Sequence, residues 1–147
     1  MKEVNIYTQT KFKGIRKQNV AAGYVISTQT SKGEATASDI QYLLNETPNQ
    51  AELEILISAL ERMKQPCELT IWTNSFYVHS GIETWMETWL KNNWCAAKGK
   101  EISNADEWKR VEMLLKPHKV KVRVGEEHPY RAWLKSAVEN KRNESDS

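Results

Sequence analysis

Two stretches of the sequence decide the fold: residues 49–53 read NQAEL, and residues 73–78 read TNSFYV. The first begins a helix, because Thr47 is a good N-cap and Pro48 suits the first helical position. Apolar residues with helical spacing follow, namely Leu53, Leu56, Ile57 and Leu60, and Pro66 ends the helix. The second stretch comes directly after a strand-like run at residues 68–72 and opens a short helix.

Three strands are expected before the first helix. They are predicted at residues 4–8, 20–28 and 33–38, and their short connections favour an antiparallel meander. The segments after the second stretch predict three helices, a fifth strand and a last helix. These are expected at residues 75–80 (ended by Gly81), around residues 82–89, after Ser103 or Asn104, at residues 120–124 and from Pro129. One domain is therefore predicted over residues 1–139, with a flexible polar tail at residues 140–147.

The composition is that of an ordinary globular chain with an uneven distribution of charge. The 147 residues are 39% hydrophobic and 27% charged, and the net charge is +2. Residues 11–17 carry four basic side chains and no acid, and residues 91–123 carry nine basic side chains against four acids. This distribution suggests an anionic partner, although a solvated charged surface explains it equally well.

The compartment is expected to be the cytoplasm. No apolar run approaches the length of a membrane span, and the chain begins directly with a strand-like segment rather than a signal peptide. Cys67 and Cys95 stand in no metal-binding or CxxC spacing, which favours two reduced thiols.

Three blocks of sequence together resemble the ribonuclease H family in its bacterial and retroviral form, which carries a basic helical handle. They are NQAEL at residues 49–53, TNSFYV at residues 73–78, and GIETWMETW at residues 81–89 with NADEW at residues 104–108 beyond it. The resemblance runs from about Val4 to Val138. It implies an α/β fold with a five-stranded mixed sheet, antiparallel in its first three strands and parallel beyond, flanked by helices.

The resemblance also implies a site in which two Mg²⁺ ions promote hydrolysis of an RNA–DNA hybrid. The family holds these ions with carboxylates at positions that correspond here to Gln9, Glu52, Asn74 and a residue near Tyr130 or Arg131, so only Glu52 remains acidic. Amide oxygens bring no charge, and we therefore expect weak or absent Mg²⁺ binding. The amides at positions 9 and 74 fit a natural loss and an engineered replacement of Asp equally. Glu52 has a simpler explanation as well, since an acid is favoured in the first turn of a helix.

The loop GEEH at residues 125–128 is a candidate for completing the site. Glu126 or Glu127 could supply a further metal ligand, and His128 could transfer protons. Acids are also favoured before the N-terminus of a helix without any role in chemistry, and we prefer that explanation.

Contacts to nucleic acid are expected in two places. Thr47 and Asn49 match family positions that touch phosphate and the minor-groove edge of the hybrid, although helix capping alone explains Thr47. The handle offers basic side chains that would meet phosphates, namely Lys91, Lys98, Lys100, Lys109 and Arg110. Trp85 and Trp89, at i and i+4, are expected to pack in the core.

Three functions are compatible with this sequence. The first is a ribonuclease H-like domain that binds an RNA–DNA hybrid or a related duplex and has lost most or all nuclease activity. The second is an active Mg²⁺-dependent ribonuclease H whose site is completed by Glu126 or Glu127. The third is a protein-interaction scaffold that no longer binds nucleic acid, which salt distinguishes because phosphate binding weakens steeply as salt rises.

Overall fold

The computed structural model describes residues 1–142, and over those residues it consists of one mixed sheet with helices on both faces. The strands are β1 (Lys2–Lys11), β2 (Gln18–Thr30), β3 (Gly33–Glu46), β4 (Cys67–Thr73) and β5 (Lys119–Val124). The helices are α1 (Pro48–Leu60), α2 (Phe76–Ser80), α3 (Met86–Lys91), α4 (Ala105–Leu115) and α5 (Arg131–Asn140), and a π-helical segment, Gly81–Trp85, joins α2 to α3. None of these helices is long and apolar enough to cross a membrane.

The sheet has the strand order β3-β2-β1-β4-β5. Strand β2 runs antiparallel to both β1 and β3, whereas β4 runs parallel to both β1 and β5. The predicted α/β fold, with its antiparallel start and parallel continuation, is confirmed. The parallel pairing of β1 with β4 ends with Tyr7 opposite Trp72, so the residues that follow in each strand emerge side by side at one edge of the sheet.

Two apolar clusters hold the helices against the sheet. Side chains alternate between the two faces of a strand, so Ile6 belongs to the cluster under α1 and α4 while Tyr7 belongs to the one under α5. The first cluster is the main core and contains Leu53 and Trp108, which are fully buried. The second is smaller, with Leu134 of α5 at its centre. The sheet is thereby fixed on both faces.

The start of α1 is as predicted, whereas two of the predicted boundaries are wrong. The Thr47 hydroxyl accepts a hydrogen bond from the Gln50 N–H at 3.1 Å and caps the helix. Strand β3 continues to Glu46 rather than ending at Ser38, because it pairs with β2 along nearly its whole length. Helix α5 includes Asn140, which was assigned to the tail, and the rest of that predicted tail from residue 143 lies outside the described residues.

Helix α2 ends at Ser80, as predicted, but the chain does not leave the helical conformation at Gly81. Its φ of −60° is helical, and the chain continues through the π-helical segment into α3. A Cβ at this position would overlap the indole ring of Trp108. Glycine is therefore present because α4 packs its largest side chain against the backbone here, not because the helix stops.

The prediction that Trp85 packs in the core is also wrong. Its side chain is 42% exposed. Trp89, one turn later, does pack against the core, with its ring centroid 5.1 Å from that of Trp108. The buried tryptophan of this region is Trp108, whose Nε1 donates to the Tyr77 hydroxyl at 2.8 Å. Trp85 and Trp108 therefore differ sharply in burial.

We expect Trp108→Ala to destabilise the protein by about 3–5 kcal/mol, as large-to-small changes in a core do. Trp85→Ala is the matched control in the same region, and it should cost much less because the ring is partly in water. Urea unfolding monitored by far-UV circular dichroism measures both. Equal losses in the two variants would contradict this account of the core.

Candidate active-site cleft

The cleft begins with an amide pair at the end of the parallel strands. Gln9 lies two residues beyond Tyr7 in β1, and Asn74 lies two residues beyond Trp72 at the end of β4, so the two side chains emerge next to each other. The Asn74 Nδ2 donates a hydrogen bond to Gln9 Oε1 at 3.0 Å. At the two positions where the resemblance implies metal-binding acids, the side chains are thus neutral amides that hydrogen-bond to each other.

Glu52 approaches this pair from the first turns of α1. Thr10, adjacent to Gln9 but facing the α1 side of the sheet, donates from its hydroxyl to Glu52 Oε1 at 2.6 Å. The Glu52 side chain is only 7% exposed. Burial raises the pKa of Glu52 to about 7, and the hydrogen bond from Thr10 opposes that rise. Glu52 is the one carboxyl group among the three sequence-predicted positions, and it is therefore only partly ionised at neutral pH.

Gln9, Glu52 and Asn74 line one open cleft of about 510 Å³. Helix α5 contributes Lys135 and Glu139 to the same cleft. The other described residues that line it are Thr10, Lys11, Phe12, Asn49, Ser75, Phe76, Tyr77 and Val138. Sequence reasoning missed Lys135 and Glu139, although their i, i+4 spacing on a predicted helix was a usable signal. It also missed Thr10 and the two phenylalanines.

The loop at residues 125–128 does not line this cleft in the described structure. His128 instead packs against Tyr7, with ring centroids 4.5 Å apart, in the cluster under α5. Its Nδ1 accepts a hydrogen bond from the Tyr130 N–H at 3.2 Å. Burial, followed by the nearby charge of Arg131, lowers the pKa of His128. The imidazole is thus packed in this cluster outside the cleft, and its role in proton transfer stays a prediction.

Glu126 and Glu127 are engaged in ion pairs outside the cleft. Glu126 pairs with Arg123 at 3.1 Å, and Glu127 pairs with Arg131 at 3.4 Å. Arg131, at the first position of α5, was one of the two residues aligned with the last metal-binding acid. It faces the loop rather than the Gln9–Asn74 pair. Both glutamates that were candidates for completing the site are therefore paired with arginines outside the cleft.

The predicted nucleic-acid contacts fall into two groups. Asn49 lines the cleft, and Thr47 caps α1 at its rim. The basic handle residues lie outside the cleft, and part of their charge is already paired. Lys109 lies 3.4 Å from Glu101, Arg110 lies 3.0 Å from Glu61, and Lys91 lies 3.5 Å from Glu87.

The remaining handle lysines, Lys98 and Lys100, are exposed on an ordered turn. Gly99 between them has a φ of +76°, and the Ala96 N–H donates to the Lys100 carbonyl at 2.6 Å. Because the backbone of the turn is fixed, both ammonium groups extend from one rigid projection. They are the strongest phosphate-binding candidates among the predicted residues.

The comparison with known proteins agrees with this geometry. The profile of the RNase H family matches residues 1–140. A ribonuclease H from Cupriavidus pinatubonensis is 33% identical over 120 residues, which is 82% of this chain and 79% of that protein. This chain belongs to the ribonuclease H family.

Other ribonuclease H proteins match over shorter segments. The enzyme from Brucella anthropi is 45% identical over 74 residues, which is 50% of this chain and 48% of that protein. The match thus spans about half the length of that curated relative. Among solved structures, LC9-RNase H1, described as a type 1 RNase H with the type 2 active-site motif, superposes with a TM-score of 0.69 at 19% identity, covering 92% of this chain and 68% of that one. This likeness supports the fold.

The ribonuclease H family typically uses Mg²⁺, and the donors in this cleft do not fit a pair of such ions. Mg²⁺ requires charged oxygen ligands in near-octahedral geometry. Here the two amides hydrogen-bond to each other, the buried Glu52 is only partly ionised at neutral pH, and Glu139 shares the cleft with Lys135. Within residues 1–142, no group of three or more His, Cys, Asp or Glu side chains is arranged to hold a metal ion. The described cleft therefore lacks the set of charged ligands that a pair of Mg²⁺ ions requires.

The raised pKa of Glu52 gives a prediction about stability. Folded Glu52 keeps its proton between its ordinary pKa of 4.5 and about 7, whereas unfolded Glu52 loses it. The free energy of unfolding should therefore fall as pH rises through this window, by up to about 3 kcal/mol for a shift of this size. Glu52→Gln keeps an acceptor for Thr10 and removes the titration. It should be more stable than the wild type at pH 8, with a flatter profile between pH 5 and 8.

Glu46 is the matched control, because burial first, and then the charges of Glu54 and Glu107, raise its pKa to about 7 as well. Glu46→Gln should remove a separate part of the same pH dependence and leave the part due to Glu52. Melting curves at both pH values measure each contribution. A Glu52→Gln variant that is destabilised equally at pH 5 and pH 8 would refute the assignment.

Proposed function

We propose that this chain is a ribonuclease H-family domain that binds an RNA–DNA hybrid, or a duplex of similar A-like shape, and cleaves it weakly or not at all in Mg²⁺. The observation that carries the loss of activity is the hydrogen bond between Asn74 and Gln9 at 3.0 Å. Two ionised carboxylates in those places would repel each other and recruit cations, whereas two amides need no metal. Glu52 carries only part of a negative charge at neutral pH because its pKa is about 7.

The basic surface supports retained binding. Lys11 lies in the cleft, and Lys98 and Lys100 project from the handle. Phosphate contacts of this kind give affinity without reading sequence. A-form-like hybrids are recognised by their shape and 2′-hydroxyls across a wide minor groove, which requires no chemistry at the cleft.

A second candidate function is an active, Mg²⁺-dependent ribonuclease H. Membership of the family favours it, and so does the presence of two carboxylates, Glu52 and Glu139, in one cleft. The earlier idea that Glu127 completes the site is weaker, because this residue pairs with Arg131. A cleavage assay with a labelled hybrid and Mg²⁺ decides between the two. Efficient cleavage that Glu52→Gln abolishes would replace the first proposal with this one.

Hybrid binding should weaken when the handle loses Lys98 and Lys100 together. Each phosphate contact contributes about one unit to the slope of log affinity against log salt, so the double alanine variant should show a shallower slope by about one to two units. The fold should be unchanged because both residues are exposed. Fluorescence anisotropy at several salt concentrations measures the slope.

The matched control is Lys2→Ala with Lys32→Ala, which removes the same charge from exposed positions at the opposite end of the sheet. This variant should keep the wild-type slope. If wild-type binding of hybrid is absent, or is insensitive to salt, the interaction-scaffold function becomes the better explanation. If both double variants lose affinity equally, net charge rather than the handle accounts for binding.

Restoring two acids should restore a response to metal. Gln9→Asp with Asn74→Asp places like charges side by side, so this variant should be less stable than the wild type in EDTA. Mg²⁺ binding should then recover the loss, since a ligand at 100 times its Kd adds about 2.7 kcal/mol to the free energy of unfolding. Melting curves in EDTA and in Mg²⁺ test both effects.

The control is Gln29→Glu with Asn92→Asp, which adds the same charge at exposed positions outside the cleft. If the cleft variant gains no more from Mg²⁺ than this control, the positions no longer form a metal site.

A further inference from the structure

Two phenylalanine rings stand open to solvent at the cleft. Phe76, the first residue of α2, is 70% exposed, and Phe12, just beyond the end of β1, is 45% exposed. Both line the cleft that contains Gln9 and Asn74. An aromatic ring left in water beside polar groups offers a flat apolar face on which another ring can stack.

The amide of Asn74 offers a donor and an acceptor next to these rings. An asparagine amide carries two N–H donors and a carbonyl acceptor. Within residues 1–142, its side-chain hydrogen bond is the one to Gln9, which leaves one N–H and the carbonyl oxygen free. A donor beside an acceptor on one amide matches the edge of a nucleobase, which also presents both. A carboxylate in this place would only accept and would repel the acceptor atoms of the base.

The charges around the cleft favour an anionic strand. Lys11 and Lys135 line it with Glu52 and Glu139, and the loop that follows β1 adds three exposed cations with no acid, namely Lys13, Arg16 and Lys17. A smaller depression continues from the cleft along this loop, since Phe12 and Asn49 line both. A strand whose base enters the cleft would thus have cations beside its flanking phosphates.

We propose that the cleft binds an unpaired nucleobase, stacked on Phe76 and hydrogen-bonded by the Asn74 amide, in a strand whose phosphates contact Lys11 and its neighbours. This inference rests on the proposed binding of nucleic acid and names the feature that the cleft selects. A fully paired hybrid keeps its bases stacked within the duplex, whereas a bulge or a single-stranded end presents a free base face. The domain should therefore prefer a hybrid with an unpaired nucleotide over a fully paired one.

The test uses two fluorescein-labelled hybrids that differ by one bulged adenine, with the full chain and fluorescence anisotropy as the readout. The wild type should bind the bulged hybrid about tenfold more tightly, the scale expected for one stacked base. Phe76→Leu keeps an apolar side chain but removes the ring, and it should abolish this preference. Phe76→Tyr keeps the ring and should retain the preference. Trp133→Leu, at another half-exposed aromatic residue that lines a separate groove, is the matched control and should leave the preference unchanged.

The outcomes separate this inference from the proposed function. If the wild type binds both hybrids equally, the nucleobase site is refuted while hybrid binding stands. If it binds neither hybrid, the proposed function fails and the inference with it. A Phe76→Leu variant that loses affinity for both hybrids in equal proportion would also refute the inference, because the ring would then contact the duplex rather than a free base. Melting curves confirm that each variant is folded.

Discussion

The site depends on one constraint, the in-register parallel pairing of β1 with β4. Because Tyr7 lies opposite Trp72, the residues at positions 9 and 74 must emerge side by side at the edge of the sheet. Two charged carboxylates in that arrangement would need a cation between them to be stable. Gln9 and Asn74 instead close the gap with a hydrogen bond of 3.0 Å. The backbone thus creates the site, and the side chains decide whether it needs a metal.

The same edge of the sheet fixes Glu52 by a different route. Helix α1 is capped by Thr47 and packed through Leu53, so its first turns lie over the end of β1. There Thr10 donates to a carboxyl group that is 7% exposed. A buried carboxyl with a single hydroxyl partner is more easily kept neutral than charged, which explains the direction of its pKa shift. The result is a cleft with the family fold in which amides stand at positions 9 and 74 and the buried Glu52 is only partly ionised at neutral pH.

The sequence was sufficient for the features that local chemistry determines. The Thr47 cap, the apolar stripe of α1 and the alternation in β5 are all local patterns, and each predicted its element. That Gln9, Glu52 and Asn74 line one cleft was predictable because the sequence blocks that contain them resemble family blocks that lie close together in the fold. The errors arose where tertiary contacts override local signals. A glycine is typical of a helix end, yet the backbone of Gly81 is helical, and glycine is required there because the ring of Trp108 leaves no room for a Cβ.

The side chains from α5 were harder to predict for a similar reason. A short loop after β5 brings His128 and Tyr130 against Tyr7, and this packing sets where α5 begins. Lys135 and Glu139, rather than the first residues of the helix, then reach the cleft. Which residue of α5 corresponds to the family's last acid was hard to predict from sequence, because ring packing in this chain contributes to the position of the helix.

The handle shows how strain and packing can prepare a binding surface. Asn93 and Trp94 have φ values of 54° and 62°, a conformation that costs energy for residues with side chains. The Trp94 N–H donates to the Trp89 carbonyl at 2.7 Å, and the Trp94 ring packs against the core, which together hold the strained connection. The turn that carries Lys98 and Lys100 follows directly. Backbone hydrogen bonds within this turn fix where its two lysine side chains begin.

The charges in the cleft decide whether the binding of nucleic acid should depend on a divalent metal ion. In a site with several ionised carboxylates, the protein repels phosphates until Mg²⁺ neutralises it, so nucleic-acid binding and metal binding are linked. Here the amide pair is neutral, Glu52 is about half ionised at pH 7, and the charges of Lys11 and Lys135 offset that of Glu139 in the same cleft. Nothing in this set of charges makes the approach of a phosphate depend on a divalent ion. Binding should therefore be governed by monovalent salt alone, through the counterions that the bound strand releases. Under the proposed function, the neutral amides at positions 9 and 74 remove an electrostatic barrier that metal ions would otherwise have to cancel, so that a strand can approach the cleft directly.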